Sequence, residues 1–123
     1  MTPPPMSNAV STTAYKVLTA DQMATLEKDR TFAGAPVDRA DGYIHLSTEA
    51  QLTETVDKHF SGQTDLHVVA VDLEVLGEAV RWEPSRGGQL FPHIYGALPL
   101  DAVLAYGPLA RDADGRVRLP VAG

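Results

Sequence analysis

Apolar and polar positions follow two different periods along this chain, and the switch between them is clearest over residues 41–51. Tyr43-Ile-His-Leu46 has period two, so Ile44 and Leu46 fall on one face of a strand and Tyr43, His45 and Ser47 on the other. From Thr48 the pattern turns helical: Leu52, Val56 and Phe60 recur at i, i+4 and i+8. Thr48, with Gln51 three residues on, forms a capping box, in which each side chain satisfies a backbone N–H at the helix start. Asp41-Gly42 ahead of the strand reads as a tight turn, with Gly42 free to take positive φ. A turn, a short strand and a helix start thus carry polar groups at every junction.

The same reading extends along the chain. Ala14–Leu18 alternates well enough for a first strand, and Thr19 with Gln22 caps a helix to about Arg30 with Met23 and Leu26 on its apolar stripe. Residues 31–40 contain Gly34 and Pro36, lack periodicity and are expected to be a loop. Leu66–Leu73 is the most apolar run, and its length and valines predict a central strand, with one helical turn over Leu73–Leu76. Val80–Glu83 reads as a strand cut off by Pro84, and 85–89 as a loop. Phe91–Gly96 follows, dense in aromatic and polar side chains. Leu98–Asp101 turns the chain, Ala102–Leu109 reads as a strand, and Asp112–Gly115 as a hairpin turn into Arg116–Leu119. Leu52, Val56, Phe60, Val69, Val71 and Trp82 are the expected core. Helices early and short strands later predict an α+β fold with a mixed or largely antiparallel sheet. Residues 1–13, rich in proline and small polar residues, are expected to be a disordered leader to a single domain over 14–123.

Composition narrows the function classes. A chain of 123 residues suits one domain and can bury roughly two-thirds of its unfolded surface, so it needs neither disulfide nor structural metal. It has no cysteine, and its net charge of −6 argues against general binding to nucleic acid or anionic membrane. No apolar run approaches the roughly 20 residues of a membrane span, and no signal sequence opens the chain, so the expected location is the cytoplasm. The histidines show no H-E-x-x-H spacing, no G-x-S-x-G elbow surrounds Ser47, and Gly87-Gly88 lacks a phosphate-loop frame. No metal is expected.

Three polar pairs at i, i+2 remain as candidate chemistry: His45 with Ser47, Arg81 with Glu83, and His93 with Tyr95. Each presents both members on one strand face, and converging strands would gather them into one polar pocket. A histidine near a glutamate suits acid–base work near neutral pH, while a glutamate alone can stabilise a developing cation. The plainer alternatives are a strand–helix corner with an incidental His45, and a Glu83 bridged to Arg81 or Arg86 at the surface.

Asp41–Ser47, Gln51, Phe60, Arg81-Trp-Glu83 and Phe91–Gly96 together resemble the bacterial family known as domain of unknown function 952, over about Tyr15 to Leu109. The resemblance implies an ADP-ribosyltransferase-like fold, a split sheet with flanking helices around an NAD-sized cleft. More remotely, it implies the roles those transferases use: His45 to hold the nicotinamide ribose, Ser47 or Tyr95 to frame the ring, Glu83 to orient the ribose and support an oxocarbenium-like transition state. On that reading His45, Glu83 and His93 are the catalytic candidates, and Tyr43, Ser47, Arg81 and Tyr95 bind the ligand. The chain departs from those enzymes in having no [QE]-x-E pair, since Arg81-Trp82 precedes Glu83. A related branch transfers an RNA 2′-phosphate to NAD with basic residues, a role that would suit His45, Arg81 and His93, although the acidic charge disfavours a large RNA. The expected ligand is therefore a small nucleotide such as NAD, bound by a transferase. The rivals are a ligand-binding module without chemistry and an interaction domain with these polar residues dispersed.

Overall fold

A computed structural model describes residues 12–120. In chain order the elements are β1 (Thr13–Thr19), α1 (Ala20–Asp29), β2 (Thr31–Phe32), α2 (Pro36–Asp41), β3 (Ile44–His45) and α3 (Glu49–His59). There follow β4 (Leu66–Asp72), α4 (Leu73–Leu76), β5 (Val80–Pro84), β6 (Leu90–Ile94), β7 (Leu98–Pro99) and β8 (Val103–Pro108). One sheet has the order β1-β4-β8, a second β3-β6-β5, and β2 pairs with β7. The domain is α+β, and every strand pairing among the described residues is antiparallel, so the mixed alternative does not hold.

The two three-stranded sheets are stitched together just past β3. Tyr15 N–H donates to the Ser47 carbonyl at 2.7 Å and Ser47 N–H returns the bond to Tyr15 at 2.9 Å, so the chain beyond β3 borders β1. β4 is the central strand that its apolar run predicts, and it is covered on both faces. Val69 and Val71 pack with Ala14, Leu18, Met23 and Leu26 in one core cluster, which also takes Ile44 and Ile94 from the second sheet. Val68 and Ala70 pack on the other face with Tyr15, Val17, Leu52 and Val56, beneath α3. Burial on both faces is why the run is continuous rather than alternating.

The capping boxes at Thr19/Gln22 and Thr48/Gln51 both form. Other expectations need correction. Residues 31–40 are not a loop: they hold β2 and most of α2. Pro36 opens that helix with a φ already suited to it, and Gly42 closes it in a left-handed conformation (φ 91°). Phe60 and Trp82 are half-buried rather than core, because Phe60 caps the end of α3 and Trp82 sits in an edge strand. The expected leader is too long: residues 1–11 lie outside the described residues, but Thr13 pairs with Asp72 and the Thr12 carbonyl accepts from Leu73 N–H. The Asp112–Gly115 turn forms, with a single bridge at Arg111 and Val117 in place of a longer hairpin. No helix of the described residues is long and apolar enough to cross a membrane.

Candidate functional site

The second sheet gathers most of the candidate chemistry by register. His45 on β3 lies opposite His93 on β6, and His93 lies opposite Arg81 on β5. Directly opposed residues share a face, as do residues two apart on one strand. Tyr43, His45, His93, Tyr95, Arg81 and Glu83 therefore fall on one side, while Ile44, Ile94 and Val80 turn to the core on the other. The polar side is reachable from solvent at Arg81, Glu83 and Tyr95, whereas His93 is only 2% exposed.

The rings contact one another directly. Tyr43 stacks on His93 at 4.2 Å between centroids and meets His45 at 4.9 Å and Tyr95 at 5.2 Å. His45 and His93 stand edge to face at 5.4 Å. The Arg81 guanidinium lies 4.8 Å over the Tyr95 ring, a cation–π arrangement.

Each histidine is held by a carboxylate. His93 Nδ1 lies 2.7 Å from Glu83 Oε1, and the Tyr95 hydroxyl donates to both Glu83 oxygens, at 2.8 and 3.0 Å. The bond from His93, then that from Tyr95, holds the Glu83 carboxyl below its ordinary range, and Glu83 in turn raises the Tyr95 phenol. His45 Nδ1 lies 2.5 Å from Asp38 Oδ1, and its Nε2 lies 2.9 Å from Asp41 Oδ2. A carboxylate thus faces each of its two ring nitrogens.

Asp38 is the hub of that second group. It is 1% exposed, and beside His45 it accepts Lys16 Nζ at 2.9 and 3.1 Å, Ala35 N–H at 2.8 Å and the backbone N–H of His45 at 3.1 Å. Burial by itself would raise the Asp38 carboxyl. The bond from His45, the Lys16 ammonium and Ala35 N–H outweigh it and hold Asp38 well below the usual carboxylate range. Burial pushes the Lys16 amine down, and Asp38 offsets part of that. Space around the hub is tight: a Cβ on Gly34 (φ 117°) would stand 3.0 Å from Asp38 Cβ.

Six of the seven predicted site residues thus share one face, and Ser47 does not join their contacts. Its hydroxyl pairs with Thr55 Oγ1 at 2.8 Å and is buried beneath α3, because the chain has left β3 and paired with β1 by that point. Asp38 and Lys16 are the residues that sequence reasoning missed. Pro36 at a helix start, an acidic residue two on and Gly42 just past the end were the available signal for the helix that carries Asp38. Among the described residues, no group of three or more His, Asp or Glu is arranged to hold a metal ion.

A small α+β domain with two carboxylate-held histidines on one sheet face is the class these features define. The chain belongs to the family described as protein of unknown function (DUF952), which matches residues 17–106. It is similar to Protein CC0527 from Caulobacter crescentus, whose crystal structure is 44% identical over 88% of this chain and 95% of that one, with a TM-score of 0.80. The solution NMR structure of the same protein gives a TM-score of 0.74 over 87% of this chain and 91% of that one, at 44% identity. No curated protein matches the chain.

Proposed function

We propose that this domain has an ADP-ribosyltransferase-like fold and binds NAD or a related small nucleotide on the polar face of the β3-β6-β5 sheet, where it transfers or releases ADP-ribose. The observation that carries this reading is the mutual contact of Tyr43, His45, His93 and Tyr95, with Arg81 and Glu83 at the rim. Tyrosine rings suit a planar base, the Arg81 guanidinium suits a phosphate, and a hydrogen-bonded carboxylate suits a ribosyl cation as it develops. The Glu83 carboxyl is anionic at neutral pH, since its hydrogen bonds hold it below its ordinary value. His45 binds a ribose hydroxyl once the half-exposed Asp41 carboxylate releases its Nε2.

Calorimetry and thermal shift with NAD, NADP and ADP-ribose test the binding step, because a ligand of the folded state raises the unfolding temperature by mass action. Saturable heat with at least one of them is expected, and none with any would reject the reading. Glu83→Gln should keep binding and lose nicotinamide release. A second reading, binding without chemistry, is favoured by the fact that both Glu83 oxygens are already hydrogen-bonded. Binding with no nicotinamide release over hours would select it.

A further inference from the structure

Among the described residues, Nε2 of His93 is the buried side-chain polar atom that no protein group hydrogen-bonds. A buried polar atom left unpaired is costly, and native proteins tolerate few, so this one asks for a reason. The other nitrogen of the ring is fixed. Glu83 is a carboxylate held in its anionic form, which can only accept, so His93 Nδ1 must donate to it across 2.7 Å. A neutral ring that donates from Nδ1 carries a bare lone pair on Nε2. The charged ring would instead bury an unmatched N–H, which is the worse of the two arrangements.

The direction of that lone pair follows from the ring itself. The two nitrogens of an imidazole point to nearly opposite sides. The lone pair lies in the plane of the ring and leads away from Nδ1 and Glu83, while Tyr43 stacks on the face of the ring and His45 stands edge to face with it. Tyr43 is half-buried and directly follows Gly42, whose left-handed conformation ends α2.

We infer that Nε2 of His93 is the acceptor by which this face recognises a hydroxyl of its ligand, with Glu83 acting as the positioning residue that keeps the lone pair available. The inference rests on the nucleotide reading for the identity of that hydroxyl, which is one of a ribose. It excludes a phosphate or carboxylate oxygen from this position, since neither brings a proton to donate. Anion recognition falls instead to Arg81, two residues from Glu83 on the same strand.

Nitrogen-15 NMR of the full chain, labelled at histidine, reads the relevant atom directly. Without ligand and near neutral pH, His93 should show a protonated Nδ1 and a bare Nε2; a protonated Nε2 overturns the inference. The same samples are then titrated with NAD, ADP-ribose and ribose 5-phosphate, with calorimetry alongside. Movement of the Nε2 resonance toward the protonated range at saturation supports the inference. So does about tenfold weaker binding by His93→Phe, which keeps a ring for Tyr43 to stack on and removes the acceptor. If that variant fails to fold, the unaltered protein's Nε2 resonance decides alone. Heat of nucleotide binding with an unmoved Nε2 overturns the inference and leaves the nucleotide reading standing. An Nε2 shift with ribose 5-phosphate and no binding of NAD or ADP-ribose supports the hydroxyl acceptor and rejects the nucleotide reading. No binding of any of the three overturns both.

Discussion

At the scale of single residues, Asp38 has the largest stake. It lies 1% exposed between Lys16 and His45, so its removal strands a buried amine as well as a histidine. Asp38→Ala should cost about 3–5 kcal/mol of unfolding free energy by urea titration, the usual penalty for breaking one side of a buried pair. The pH dependence follows from the direction of its shift. The folded-state pKa lies below the unfolded one, so the stabilisation is complete above the ordinary aspartate range and is lost as pH falls below it. Asp38→Asn should therefore flatten the acid side of the stability curve, and an unchanged acid slope would remove Asp38 as its source. His45, Glu83 and His93 were legible because strand parity sorts side chains by counting alone. Asp38 was not legible, because its burial depends on Lys16, 22 residues away, and local spacing carries no trace of that. Ser47 misled for a related reason: parity placed it beside His45, but the strand changes partner before reaching it.

At the scale of elements, the helix starts were the most readable features, because a capping box is complete within four residues. Thr48→Ala should lower stability by about 1 kcal/mol in a denaturant titration, the typical loss of an N-cap side chain. Phe60→Ala at the other end of α3 should cost clearly less than the roughly 3–5 kcal/mol of a fully buried ring, since Phe60 is half-buried at the C-cap. A loss in the full range would mean that the ring is as enclosed as the helical periodicity suggested. β4 was readable from its valines. β2 and β7 are two residues each, too short for a period to register, and they owe their existence to partners across the chain.

At the scale of the molecule, reciprocal bonds between Tyr15 and Ser47 join the two larger sheets, and one core cluster draws side chains from both. Unfolding should accordingly be a single transition. Far-ultraviolet circular dichroism follows all the strands, while the fluorescence of Trp82, the only tryptophan, follows the second sheet. The two midpoints should coincide, and separated midpoints would mean that the sheets melt independently. A chain starting at Ala14 loses the Thr12–Leu73 bond and the Thr13–Asp72 pairing, so it should unfold at a lower temperature than one starting at Thr12. None of these long-range pairings was legible, since apolar runs announce that a strand exists and not which strand lies beside it. The facing row of His45, His93 and Arg81 has one more consequence. β6 delivers its histidine outward only because Ile94 and Pro92 take the alternate positions, so identity and spacing are separable in this chain. Deleting a single apolar residue between Phe91 and His93 would invert everything that follows within the strand, turning Ile94 to the polar face and His93 to the core. Such a chain would retain every reactive side chain and still lose the site as completely as if His93 itself had been removed.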